Sequence, residues 1–295
     1  MSSGEAHQGA KRAGRKPKLG QNFLIDHGAM RRIVDALGDV SQRTVIEIGA
    51  GNGALTSLLV PRAGHLVAVE LDRVLAAQLR MEYSREPHVE IIEADILTVD
   101  IRTMIGNRTG PLRDLRPSEP PKARVVGNLP YYITSDILLR LFAEHGFFDR
   151  LVITVQLEVA DRLAASPGTR DYGLLSATAN LYGRVEKLFE LPPGAFSPPP
   201  QVHSAALRID IAPRFEELRV DEHGFIEFLK RSFAQKRKML ANNLRGYFSP
   251  AVIRQSLEQA GIERGIRAEA VALDQMAALY RILTESAKVD SPGGE

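Results

Sequence analysis

The chain has 295 residues, 44% hydrophobic and 25% charged, with a formal net charge of +2, enough for one sizeable core and a smaller second one. No apolar run approaches the roughly 20 residues that span a bilayer, and the lack of cysteine excludes disulfides, thiol nucleophiles, iron–sulfur clusters and thiolate zinc sites. With so small a net charge, any nucleic-acid surface must come from local clustering of Lys and Arg.

Residues 1–17 are polar and basic, with Lys11, Arg12, Arg15 and Lys16 and no apolar stretch. They predict a flexible basic arm and, lacking a secretory signal, a cytoplasmic protein. Folding is expected to begin near Leu19, with a helix around Ala29 to Leu37. Thr44 to Ile48 is a short, β-branched apolar run that meets glycines at once, which reads as a buried strand entering a tight turn. A helix at Leu55 to Leu59, a strand at His65 to Glu70, a helix at Asp72 to Tyr83 and a strand at Val89 to Glu93 continue a β-α-β-α-β rhythm. That rhythm predicts a parallel, doubly wound α/β sheet. The Gly-, Pro- and Arg-rich stretch 105–122 reads as a surface excursion before a strand at Arg124 to Gly127. Further strands are expected at Leu151 to Gln156 and near Val202 to Ile211. From Pro213 onward Phe225, Phe228, Leu229, Phe233, Leu240 and Leu244 recur at helical spacing. The expected division is an arm over 1–17, an α/β domain over 18–212 and a helical domain over 213–295.

Chemistry enters at Glu47-Ile-Gly-Ala-Gly-Asn-Gly-Ala54, where glycines 49, 51 and 53 lie between a strand and a helix. They let the backbone approach a nucleoside without a Cβ in the way. Gly49, Gly51 and Ala54 also satisfy the dinucleotide fingerprint, so a nicotinamide cofactor stays open here. Glu70 at the end of the second strand could hold ribose hydroxyls of either cofactor. Asp95, just beyond the third strand, can accept from an adenine amine, which favours a methyl donor; helix capping is its plainer role.

At the end of the fourth strand stands Gly127-Asn-Leu-Pro-Tyr-Tyr132, where ligands bind in open α/β sheets. The N6 amine of adenine is a poor nucleophile because its lone pair is delocalised into the ring. The Asn128 side-chain oxygen and the Leu129 carbonyl can accept its two hydrogens, Pro130 can fix that carbonyl, and Tyr131 offers a face on which the base stacks. Further on, Lys230 to Arg245 carries six basic residues and no acidic one. Lys236, Arg237 and Lys238 are the expected phosphate contacts, a solvated helix face being the alternative.

These motifs, with LGQNFL at 19–24, EADIL at 93–97, GNLPYYITSDIL at 127–138 and FSPPPQVHSA at 196–205, resemble the KsgA/RsmA family of small-subunit ribosomal RNA adenine dimethyltransferases. They resemble more distantly the Erm macrolide-resistance methyltransferases. The resemblance implies a Rossmann-like class I S-adenosylmethionine-dependent methyltransferase domain with a smaller C-terminal all-helical domain. It implies dimethylation of the N6 amine of two adjacent adenosines in the 3′-terminal hairpin of 16S rRNA, late in biogenesis of the small subunit. S-adenosylmethionine would be the methyl donor, with no metal; the partner would be 16S rRNA in the small subunit or its precursor, the protein being monomeric and away from membranes. Gln21, Asn22, Leu24, Gly49, Glu70, Asp95 and Asn128 would hold the cofactor. Asn128, Leu129, Pro130 and Tyr131 would be catalytic, while Tyr131, Phe196, Lys236, Arg237 and Lys238 would meet the RNA. Phe196 would flank the target base, with a place in the core as its alternative. The sequence departs from many members in its long 105–122 stretch and in Leu157, where lysine is common. A large-subunit (23S rRNA) methyltransferase of the Erm type and a ribosome-assembly factor with secondary catalysis are the competing functions; a nicotinamide oxidoreductase would rest on the glycine fingerprint alone.

Overall fold

The computed structural model describes residues 21–106 and 122–289, with side chains as far as residue 286. The basic arm and nearly all of the 105–122 stretch lie outside the described residues. The chain opens with β1 (Phe23–Leu24) and α1 (His27–Ala36), the helix begun by Asp26, whose carboxylate accepts from Ala29 N at 2.9 Å. The α/β rhythm follows as β2 (Thr44–Ile48), α2 (Thr56–Leu59), β3 (His65–Glu70), α3 (Arg73–Glu82), β4 (Val89–Glu93), α4 (Ile101–Gly106), β5 (Ala123–Asn128), α5 (Thr134–Ala143) and β6 (Phe148–Gln156). Next come α6 (Leu157–Leu163), α7 (Leu174–Tyr182), β7 (Gly183–Leu191), β8 (Phe196–Ser197) and β9 (Ser204–Ile211).

Seven strands form one sheet in the order β4-β3-β2-β5-β6-β9-β7. The first five are parallel, but β9 runs antiparallel to β6, and β7 antiparallel to β9. The expectation of a wholly parallel sheet is corrected at that end. β6 reaches β9 only after α6, α7 and β7, so the last two strands join as an antiparallel pair on the far edge. The central strands are buried on both faces, as parallel strands covered by crossover helices must be. Ile46, Ile48, Val67, Val125 and Ile153 face Ile137, Leu141 and Phe142 of α5. Val45, Leu66, Val126 and Val152 face Ile33 and Val34 of α1 and Leu59 of α2. At ~25 cal/mol per Å² of apolar surface removed from water, this two-sided burial is the main term holding the sheet together.

After Ile211 the chain is helical: α8 (Phe215–Leu218), α9 (Glu222–Ser232), α10 (Leu240–Leu244), α11 (Pro250–Gln259) and α12 (Leu273–Val289). Their shared core holds Phe225, Phe228, Leu229, Leu240, Leu257 and Met276, but also Tyr172, Ala177 and Leu181 from around α7. The second core therefore borrows residues that precede position 213. No helix among the described residues is long and apolar enough to cross a membrane.

Candidate active site

Because β2 to β6 run the same way, their carboxyl ends share one edge, and a cleft opens there between Gly49, Glu70, Asp95 and Asn128. Its empty space, counting what is open to solvent, is about 810 Å³, in the range of small-molecule sites. Gly49, Gly51 and Gly53 have φ of +72°, +59° and +82°, a region that side chains disfavour. Gly51 N donates to Glu70 Oε2 at 2.7 Å, and Asp72 N donates to Oε1 at 2.8 Å. The buried Glu70 is thus fixed by backbone donors while each oxygen keeps a lone pair for a ligand hydroxyl. Asp95 accepts from Leu97 N through Oδ1 at 2.9 Å, so its local turn-forming role and its place in the cleft coexist.

Asn128 ends β5 on this edge. Its Nδ2 donates to Asn22 O at 2.8 Å, which fixes the amide, and its Oδ1 is buried without a protein partner. A buried acceptor left in that state costs ~1–3 kcal/mol, so it is an atom that a ligand donor would satisfy. Leu129 N donates to Thr154 O at 3.0 Å, and the Pro130 carbonyl accepts from Ile133 N at 3.2 Å and Thr134 Oγ1 at 3.0 Å. The Leu-Pro part of the turn is held through its backbone, while Asn128 and Tyr131 at its ends also bond through their side chains. The Tyr131 hydroxyl lies 2.6 Å from Ser204 Oγ; burial raises its pKa while that contact opposes the rise.

Of the residues expected at the site, Gln21, Asn22, Gly49, Glu70, Asp95, Asn128, Leu129, Pro130 and Tyr131 line the cleft. Two do not. Leu24 is buried in the α1-side core and Phe23 lines the cleft beside it, because successive residues of a strand point to opposite sides. Phe196 pairs with Leu24 across β1 and β8, is 2% exposed and packs in that same core. That packing is the core alternative for Phe196, in place of a surface offered to the target base. Lys236, Arg237 and Lys238 are exposed, yet they stand on a turn between α9 and α10, not on a helix face.

Three participants escaped the sequence. Ser204 braces Tyr131 across 73 positions, and Thr154, opposite Asn128 in register, has a buried Oγ1 with no partner. Glu47 lies beneath the glycine turn, fully buried, accepting from Thr56 Oγ1 at 2.7 Å. Burial pushes its carboxyl up to about 8, against the Thr56 hydrogen bonds and with help from Glu70. The one available signal was a carboxylate set inside the apolar run Thr44 to Ile48.

The ribosomal RNA adenine dimethylase family model matches residues 13–285. The ribosomal RNA small subunit methyltransferase A of Koribacter versatilis is 60% identical over 269 residues, covering 91% of this chain and 94% of that protein. The protein of the same name from Acidobacterium capsulatum is 52% identical, covering 92% of each. Among solved structures, a dimethyladenosine transferase from Plasmodium falciparum aligns with a TM-score of 0.74 at 21% identity, over 90% of this chain and 98% of that one. The 23S rRNA methyltransferase ErmE aligns at 0.64 and 25% identity, over 89% of this chain and all of that one.

Proposed function

The chain belongs to the ribosomal RNA adenine dimethylase family, and from that premise we propose that it dimethylates the N6 amines of two adjacent adenosines in the 3′-terminal hairpin of 16S rRNA, late in small-subunit assembly. The observation that carries this reading is the buried, partnerless Oδ1 of Asn128, a residue that lines the cleft and whose amide is fixed by the bond from Nδ2 to Asn22 O. S-adenosylmethionine, when bound, supplies a methyl group on a cationic sulfur. The donor set fits it: open space at Gly49, where even a Cβ would find nothing nearer than Asn128 O at 3.8 Å, the Glu70 carboxylate for ribose hydroxyls, and the free oxygen of Asp95 for an adenine amine.

The protein's own work is orientation and charge placement. Asn128 Oδ1 accepts one hydrogen of the target amine and the Leu129 carbonyl accepts the other, drawing the nitrogen toward tetrahedral geometry. Tyr131, steadied by Ser204, provides the stacking face. Gln21, Asn22 and Phe23 close the cleft from the amino-terminal side. The names of the relatives, small-subunit methyltransferases at 60% and 52% identity, favour the small subunit over the large-subunit alternative. The intact acceptor at Asn128 favours an enzyme over an assembly factor whose catalysis has lapsed.

The test is methyl transfer to small subunits that lack these modifications, followed by mass mapping of the rRNA. Two adjacent adenines carrying two methyl groups each are expected. Methylation elsewhere, or none, would overturn the assignment.

A further inference from the structure

We propose that Tyr247 is a stacking platform for an unpaired base of the substrate RNA, backed by Arg231 and flanked by the basic turn; this rests on the rRNA reading above. The turn between α9 and α10 is a braced projection. Asn243 Nδ2 donates to Ser232 O at 2.7 Å and to Gln235 O at 3.3 Å, and Leu240 N donates to Ile266 O at 2.9 Å. These bonds hold both ends of the turn, while Lys236, Arg237 and Lys238 stay exposed on it.

The charge around it is mostly positive, with Glu227 the acid beside Lys230 and Arg231. Lys230 is matched by Glu227 at 2.8 Å. Among the described residues no carboxylate comes within ion-pair distance of Arg231, Lys236, Arg237, Lys238 or Arg245. An anionic partner is the charge complement. Next to it, Arg245 and Phe248 bridge across a turn that contains Gly246 at φ +98°, and Tyr247 stands out from it, 54% exposed. The Arg231 guanidinium carbon sits 4.1 Å from the centre of its ring.

That arrangement has a chemical meaning. A guanidinium over one face of the ring fixes its orientation through cation–π attraction, leaving planar aromatic surface in the open amid unmatched cations. An acidic peptide would use the cations and have no need of the ring. A single strand of RNA uses both, phosphates on the cations and a base on the ring, and each such stack is worth ~1–3 kcal/mol by alanine substitution.

The experiment measures the binding of an rRNA hairpin with an unpaired loop to the full chain, across a salt series. The variants are Tyr247→Ala, Tyr247→Phe and the triple Lys236→Gln, Arg237→Gln, Lys238→Gln. Tyr247→Ala is expected to weaken binding roughly 5- to 150-fold at every salt concentration with the log–log slope unchanged, because a base stack releases no counterions. Tyr247→Phe should bind as the parent does, which separates loss of stacking from loss of folding. The triple variant should flatten the slope. If Tyr247→Ala binds within twofold of the parent while the triple flattens the slope, the stacking platform is wrong and the RNA surface stands. If neither changes binding, the RNA surface itself is misplaced and the platform falls with it.

Discussion

The carboxyl edge of the sheet and the basic turn after α9 are both assigned to the same RNA, and they are built in opposite ways. At the edge, Glu70 and Leu129 are buried, Asn128 is half-buried with its Oδ1 covered, and every one is tied to backbone donors or acceptors at 2.7 to 3.0 Å. On the turn, Lys236, Arg237 and Lys238 are exposed, and among the described residues only Lys236 of the three has a side-chain hydrogen bond, to Arg170 O at 3.2 Å. Low-dielectric, preorganised groups act individually and strongly, whereas solvated charges act as a sum. The edge should therefore be sensitive to single atoms, and the turn to total charge.

The sharpest break of that contrast would come at Asn128. Asn128→Ala removes the side-chain acceptor proposed for the target amine, and loss of such a group typically lowers rate by ~10² to 10³, about 3 to 4 kcal/mol. Stability, read as melting temperature, should fall only by the ~0.5–1.5 kcal/mol of the lost Nδ2 bond to Asn22 O, since Oδ1 satisfies no protein donor. Single-turnover methylation at saturating cofactor and RNA is the measurement, and a rate within about threefold of the parent would remove Asn128 from the chemistry.

Glu47 tests whether burial at the edge also controls stability. In the folded chain its carboxyl keeps a proton up to about pH 8, while in the unfolded chain it gives the proton up near 4.5. Between those values the folded state binds the extra proton, so this residue makes stability fall as pH rises, on the order of 1 kcal/mol per pH unit, levelling off above about 8. Glu47→Gln keeps the shape and removes the titration. Its melting temperature relative to the parent should therefore climb from pH 5 to pH 8, as thermal melts across that range can show. A difference independent of pH would mean that Glu47 is charged in the fold.

These two residues also mark what the sequence could and could not reveal. β2, β3 and β4 have the bounds expected from their short apolar runs; β2 and β3 are buried along their whole length, and β4, half-buried at the sheet's edge, is still marked by Val89, Ile91 and Ile92. β7 was missed because Arg184, Glu186, Lys187 and Glu190 interrupt its apolar residues, and its burial depends on pairing with β9. Glycines and carboxylates at strand ends pointed to Gly49, Glu70 and Asp95, and the Gly-Asn-Leu-Pro-Tyr-Tyr turn after the fourth strand pointed to Asn128; all four line the cleft. The Tyr131–Ser204 contact was not, since two residues 73 apart meet only through the topology. For Phe196 the resemblance implied a base contact with a core position as the alternative, and its strand pairing with Leu24 and burial put it in the core. The basic stretch read as helix from its apolar spacing, but α9 ends at Ser232, where Asn243 captures the Ser232 carbonyl and turns the chain.

The smallest effect belongs to a single charge on the turn, and it is the one that most directly tests additivity. Lys238 has no side-chain partner among the described residues, so Lys238→Gln breaks nothing within the protein and melting should not move. If the residue neutralises one phosphate, the slope of log affinity against log salt should drop by roughly 0.7 to 0.9, the single-strand and duplex limits. Catalytic rate at saturating RNA should stay as it was, since the turn contributes to encounter and holding and not to the amine. The triple variant should then lose about three times as much slope. A single substitution that removed most of the slope by itself would mean that the turn, like the edge, is a preorganised site in which Lys238 has one dedicated partner.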